Sequence, residues 1–109
     1  MKVESDQTMK YALMLVMFLV LAVAAAASAR AGDMQKGREV YEMNCLACHG
    51  MGGHAIDMTI PSFANGDRMF LMDQEMLQSI RNGKNSMPAF RGLLSDQEIR
   101  DVITYLRTL

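Results

Sequence analysis

The sequence predicts a small all-α domain of three to five helices over residues 32–109. Three observations lead there. Helix-start signals, apolar spacing at i, i+3 and i+4, and asparagine or glycine stops recur along this region, whereas no stretch alternates as a strand would and no repeat or long linker occurs. The region is only 78 residues long, too short to rest on an apolar core alone without a staple or a prosthetic group. Near its start stands Cys45-Leu46-Ala47-Cys48-His49, whose chemistry can supply one.

The 50% hydrophobic content of the 109 residues is inflated by one end. Tyr11 to Ala27 is an unbroken apolar run of 17 residues, preceded by Lys10 and followed by Ser28-Ala29-Arg30-Ala31-Gly32. That is the pattern of a secretory signal peptide. Ala29 and Ala31 form an A-x-A cleavage site, so residues 1–31 read as the signal and the mature chain as Gly32 to Leu109, with a junction at Ala29 as the alternative. An uncleaved anchor is the competing reading, since 17 apolar residues sit at the short limit of what spans a bilayer. Glu4 and Asp6 are acidic where a signal needs positive charge, and a translation start at Met9 gives a cleaner one. From Gly32 onward eight Lys and Arg face ten Asp and Glu, a formal charge of −2, and no basic stripe occurs. Nucleic-acid binding is thereby excluded.

The first helix of the domain is expected from Met34 to Asn44 with Asp33 as its cap. Gly37, Val40 and Tyr41 share one face, and a mid-helix glycine, costing about 1 kcal/mol against alanine, points to close packing of another helix. Met34 and Met43 read as packing. Gly50 to Asn65 reads as a loop, marked by Gly52-Gly53 and Pro61, in which His54 reads first as solvent-facing. A short helix over Gly66 to Leu71 and a firmer one from Asp73, its cap, to Asn82-Gly83 follow, with Met76, Leu77 and Ile80 as an apolar stripe and Met69 and Met72 as packing. Glycine and proline then leave Met87 on an extended loop, stiffened by Pro88. Ser95-Asp96-Gln97-Glu98 is a capping box that opens the last helix, whose Ile99, Val102, Ile103 and Leu106 recur at helical spacing. This stripe should cross the first helix near Gly37, with Tyr105 beside Tyr41 and with Arg100 and Arg107 on the solvated face.

Two thiols three positions apart with a histidine after the second read as a c-type haem attachment site. The sulfurs of Cys45 and Cys48 can add across the two vinyl groups of a haem, and the His49 imidazole can take the iron. Three blander readings compete: a redox dithiol, for which no leading strand is present; a zinc site with His54, for which the spacing is wrong; and an ordinary disulfide. The export signal and the haem motif support each other, because haem is coupled to such motifs outside the cytoplasmic membrane of bacteria. Pro61 can offer its carbonyl to the Nδ1 proton of His49, and the Met87 thioether can reach the iron. Asn85 and Ser86 are candidate donors to that sulfur or to a propionate. Arg68, Arg81 and Arg91 are candidate propionate partners, although each reads first as a solvated arginine.

With these residues in view, the stretch from Asp33 to Leu109 resembles the small class I c-type cytochromes of bacteria, the c6 and c551 kind of electron carrier. The likeness rests on Gly37, Tyr41, Cys45-x-x-Cys48-His49, Pro61, Met87-Pro88-Ala89-Phe90 and the closing helix with Tyr105. It implies one covalent haem c, His49 as proximal and Met87 as distal iron ligand, and the Pro61 carbonyl as the acceptor from His49. The departures are Met51, Met58 and His54 in the 50–60 loop, each a rival to Met87 in principle.

The function expected is that of a periplasmic, monomeric one-electron carrier making transient contact with an oxidase, reductase or dehydrogenase, and not of an enzyme. Met and His ligation implies a positive potential, on the order of a few hundred millivolts. Two other readings stay open: a membrane-anchored cytochrome c subunit of an oxidase or dehydrogenase, and a gas-binding or sensor haem protein if Met87 does not ligate.

Overall fold

The computed structural model describes residues 2–28 and 31–109. Ala29, one of the small residues of the expected cleavage site, lies outside them, as does Met1. The chain divides into two compact units, Met1–Ala31 and Gly32–Leu109. The first consists of helix α1, Lys2–Ser28, within which Val3–Val23 is long and apolar enough to cross a membrane. The polar residues ahead of the apolar run extend the helix, and Asp6 pairs with Lys10 one turn on, at 2.7 Å.

The second unit holds α2 (Met34–Asn44), α3 (Leu46–His49), α4 (Asp73–Asn82) and α5 (Asp96–Leu106), with short 3-10 turns at Met51–Gly53 and Phe63–Asn65. Among its described residues no strand forms, only isolated bridges pairing Lys84 with Met87 and Arg91 with Leu94. The all-α expectation therefore holds.

The Asp33 carboxylate caps α2, accepting from the Gln35 and Lys36 N–H groups at 2.9 and 3.1 Å. Its own N–H donates to the buried Asp101 carboxylate at 2.7 Å, which ties the start of α2 to α5. At the crossing of the two helices a Cβ on Gly37 would land on the Asp101 carbonyl and lie 2.9 Å from Val102 N. Glycine is required there because backbone meets backbone. Beside it, the Tyr41 and Tyr105 rings pack with centroids 5.3 Å apart. Val40, Tyr41, Met76, Leu77, Ile99, Val102, Ile103 and Leu106 form the core.

The capping box of α5 is formed as read: Ser95 Oγ accepts from Glu98 N–H at 3.2 Å, and the Glu98 carboxylate accepts from Ser95 N–H at 2.7 Å. The Ser95 N–H and the Ser95 hydroxyl, donating to this carboxylate at 2.7 and 2.8 Å, hold it below its usual range.

Four local expectations need correction. Residues 66–71 form successive turns and no helix, because Gly66 and Arg68 both adopt left-handed backbone, with φ of 83° and 67°. The cap of α4 is Met72, whose N–H donates to the Glu75 carboxylate at 2.8 Å, and Asp73 is already inside the helix. Met34, Met43 and Met72 are exposed and do not pack. Arg107 is not a free solvated arginine: its guanidinium donates to the Met69 and Leu71 carbonyls at 2.6 and 2.7 Å and to Asp73 Oδ1 at 2.7 Å. Those partners lie more than 30 residues back along the chain.

Candidate haem site

The cysteine motif is a single helical turn. Cys45 ends α2, donating its N–H to the Tyr41 carbonyl at 2.8 Å, and starts α3, its own carbonyl accepting from Cys48 and His49 at 3.2 and 2.9 Å. Residues at i, i+3 and i+4 of a helix share a face, so Cys45, Cys48 and His49 all border one cavity. Gly50 stops the turn at φ 74°, where a Cβ would run into the His54 carbonyl. The buried Tyr41 hydroxyl donates to the Gly50 carbonyl at 2.7 Å. Burial first, then nearby Cys45 and Tyr105, pushes the Tyr41 phenol up to about 12.

His49 is only 7% exposed. Its Nδ1 lies 3.1 Å from the Pro61 carbonyl, and because a carbonyl oxygen can only accept, this bond requires the proton on Nδ1. That tautomer leaves the Nε2 lone pair for a metal. The ring stacks on Phe63, centroids 4.7 Å apart and planes 23° from parallel. The segment carrying Pro61 is held by Ser62, whose Oγ donates to the Gly53 carbonyl at 3.1 Å and whose N–H donates to Asp67 at 2.9 Å.

Met87 borders the same cavity from a tighter element than the extended loop expected. Lys84 and Met87 exchange N–H to carbonyl bonds of 3.1 and 3.0 Å across Asn85, whose φ is 55°. Gly83 enters this turn at φ 70°, where a Cβ would lie 2.7 Å from Ala89 N and the Met87 carbonyl. Phe90 N–H and Arg91 N–H then bond back to the Ile80 and Arg81 carbonyls of α4 at 3.2 and 3.0 Å. Met87 is thus half-buried on a segment fixed at both ends.

The cavity encloses about 270 Å³. Much of the rest of its wall is apolar, from Ile60, Pro61, Phe63, Leu71, Met76, Ile80, Phe90 and Leu106, with polar and charged side chains on one part. Two thiols, one imidazole with a free nitrogen and one thioether around an apolar slot fit a covalently held haem. They fit the rivals poorly. Burial, reinforced by the neighbouring Cys48, raises the Cys45 thiol to about 11, whereas a reactive dithiol needs a lowered one. Among the described residues no three His, Cys, Asp or Glu side chains converge as a metal site would need.

The loop rivals to Met87 stand apart: Met51, Met58 and His54 are exposed and none borders the cavity. Of the three arginines, Arg81 pairs with Asp96 at 3.3 Å and Arg91 donates to Asn82 at 2.6 Å, while Arg68 borders the cavity. Asn85 and Ser86 border it too. Thr59, Ile60 and Leu71 also border it, and no local pattern in the chain marks them, because their place in the wall depends on how the 50–71 loops close.

The profile of the family described as cytochrome c oxidase, cbb3-type, subunit III matches residues 32–106. The chain is 37% identical over 78 residues to a cytochrome c6 of Gracilaria tenuistipitata var. liui, covering 70% of this chain and 72% of that one. It is 33% identical over 90 residues to the cytochrome c6 of Thermosynechococcus vestitus, covering 81% and 80%. The solved structure of cytochrome c6 from the diatom Phaeodactylum tricornutum superposes with a TM-score of 0.57 at 34% identity, covering 71% of this chain and 93% of that one.

Proposed function

This chain belongs to the small class I c-type cytochromes, is c6-like, carries one covalent haem c and is an electron carrier instead of an enzyme; from that premise we propose that it works outside the cytoplasm, passing single electrons between larger redox proteins with the iron held between His49 and Met87. The observation that carries this reading is that Cys45, Cys48, His49 and Met87 border one apolar cavity. When bound, the haem supplies a one-electron iron couple.

The residues divide the work. Cys45 and Cys48 anchor the macrocycle through their sulfurs. The Pro61 carbonyl, 3.1 Å from His49 Nδ1, fixes the imidazole and raises its basicity as a ligand. Phe63 braces the ring from its flat side. Met87 offers a soft sulfur, which favours the reduced iron and raises the potential. The apolar walls keep water away and push in the same direction. Ala47 and Ala89 are exposed, so the side chains flanking the motif and the Met87 segment are short and a partner can come close. Contact with such a partner is small and transient, as electron-transfer encounters are. Residues 1–31 act as the export signal and are removed, leaving a monomeric domain of residues 32–109.

The test is spectroscopic. Protein exported by a host with a working haem-attachment apparatus should keep its porphyrin under denaturing conditions, as read by intact mass. In the oxidised state it should show the weak near-infrared sulfur-to-iron band, and Met87→Ala should abolish that band. Retention of the band in Met87→Ala removes Met87 as the ligand.

A second reading draws on two specific observations. Val3–Val23 is long and apolar enough to cross a membrane, and the matching family profile is named for an oxidase subunit. Under this reading α1 is retained and tethers the domain beside an oxidase or dehydrogenase. Cell fractionation decides between them: haem protein that stays with membranes in high salt supports the anchor, and release of a chain starting at Gly32 supports the free carrier.

A further inference from the structure

One buried charge in the second unit has no opposite charge beside it. Asp101 is only 4% exposed. It accepts from the Asp33 N–H at 2.7 Å and from the Gln97 side-chain amide at 3.0 Å, both on Oδ1. None of the ion pairs among the described residues includes it. A carboxylate at this depth is costly unless a cation meets it. We propose that removal of residues 1–31 creates that cation: the new α-ammonium of Gly32 binds a cluster of acceptors on α5, the Asp101 carboxylate, the Arg100 carbonyl and the Thr104 hydroxyl. This rests on the reading of residues 1–31 as a removed export signal.

The backbone of Gly32 lies against the middle of α5. A Cβ there would coincide with Thr104 Oγ1 and lie 2.6 Å from the Arg100 carbonyl oxygen. The Gly32 nitrogen hangs from the same Cα, which sets it within roughly 5 Å of both oxygens. Asp33 N, the next nitrogen along, already touches Asp101 Oδ1, so the Gly32 nitrogen stands within about 6 Å of that oxygen. While residue 31 is attached, this nitrogen is a planar amide with one hydrogen. Once the bond is cut it carries three hydrogens and a positive charge, and glycine lets it turn toward its acceptors. Those acceptors have room: Asp101 Oδ2 takes neither bond named above, and the Thr104 hydroxyl, donating to the Arg100 carbonyl at 3.0 Å, keeps its lone pairs. The neighbouring cations are placed otherwise. Arg38 pairs with Glu42 at 2.8 Å, Lys36 is exposed, and Arg100 follows Asp101 by about 100° around α5. Processing would thus release the domain and fasten the start of α2 to α5 in one step, which a retained anchor cannot do.

The test is a double-mutant cycle on the exported, haem-loaded protein. The α-amine is acetylated on the unfolded chain at about pH 6.5, where it reacts ahead of lysine side chains, and the product is refolded and checked by mass. Urea unfolding should show the folding equilibrium constant falling about fivefold to thirtyfold on acetylation of the parent. In Asp101→Asn, which keeps an oxygen for the Asp33 N–H, acetylation should change it less than about twofold. A serine inserted between Ala31 and Gly32 moves the ammonium outward by one residue and should cost the parent as much as acetylation does. An unmoved constant in the acetylated or serine-extended parent overturns the proposal and needs no folded Asp101 variant. An equal drop in parent and Asp101→Asn overturns it too. Intact mass separates the two readings. A chain that keeps residues 1–31 overturns signal removal and the proposal with it, and a chain starting at Arg30 overturns the proposal while export stands. A chain starting at Gly32 whose stability ignores its amine overturns only the pairing with Asp101.

Discussion

Gly37→Ala tests the packing on which the whole second unit depends. Alanine gains about 1 kcal/mol in helix propensity over glycine, so an uncrowded site would become more stable. The site is crowded by backbone: the new Cβ would coincide with the Asp101 carbonyl and lie 2.9 Å from Val102 N. Neither atom can swing aside as a side chain would, so α2 and α5 must part. A separation of 0.5–1 Å already forfeits roughly a quarter to a half of each dispersion contact across the crossing. Val40 and Tyr41 on one helix and Ile99, Val102 and Leu106 on the other lose packing together. Overpacking of this kind costs about 1–3 kcal/mol or somewhat more, and the rigid obstacle argues for the upper end. Subtracting the propensity gain leaves a net loss of about 2 kcal/mol, measurable by denaturant unfolding of the haem-loaded protein with the slope unchanged. Gly92→Ala is the control, with nothing within 4 Å of the new Cβ but a φ of 82°, so its cost is the left-handed strain alone, about 1–2 kcal/mol. If Gly37→Ala equals or exceeds the parent in stability, the close crossing of α2 and α5 is wrong.

Two further outcomes can be checked with the same material. Tyr41→Phe removes the donor to the Gly50 carbonyl, which still accepts from Gly53 N–H at 3.3 Å, so the cost should be near the low end for a buried acceptor, about 1 kcal/mol. The variant should also change the alkaline limb: the unfolded phenol ionises near 10 while the folded one waits until about 12, so the parent loses stability as pH rises through that window and Tyr41→Phe loses less. Equal slopes in denaturant unfolding at pH 9, 10 and 11 would count against the buried phenol. Arg107→Met should lower stability by about 1–2 kcal/mol, because two carbonyls and a carboxylate lose a charged donor but regain water at a half-exposed site. Asp73→Asn, which removes only the exposed ion pair, should cost about half a kcal/mol. Thermal unfolding in which Asp73→Asn is the costlier of the two would show that the carbonyl contacts carry little.

Much of this was legible in the chain because the signals are local. The capping box at Ser95, the stripe from Ile99 to Leu106, Asp33 as a cap and the glycine at 37 each combine a short-range rule with a residue type that has few other uses. The Cys45 to His49 pentapeptide is legible for the same reason, since its spacing is the spacing of one helical turn. Arg107 was misread because its partners at Met69, Leu71 and Asp73 come from a distant part of the chain, and an arginine at the C-cap of a helix has an ordinary local explanation. The turns over 66–71 were misread because apolar Met69, Phe70 and Leu71 imitate a helix, while the left-handed Arg68 that breaks it carries no warning in its side-chain type. The Lys84–Met87 clasp escaped similarly: asparagine at 85 hints at a positive φ, but the paired bonds across it depend on Gly83 being packed against Ala89.

The shared role of Cys45 has a consequence for how such a chain can change over time. One residue closes α2, opens α3 and bears a sulfur, with no spacer between the scaffold and the anchor. Adding a single residue between Asn44 and Cys45 would swing the anchor by about 100° around the axis of α2, turning both sulfurs and the imidazole out of register at once. At the 44/45 boundary the chain is as intolerant of insertion as a key is of an extra tooth.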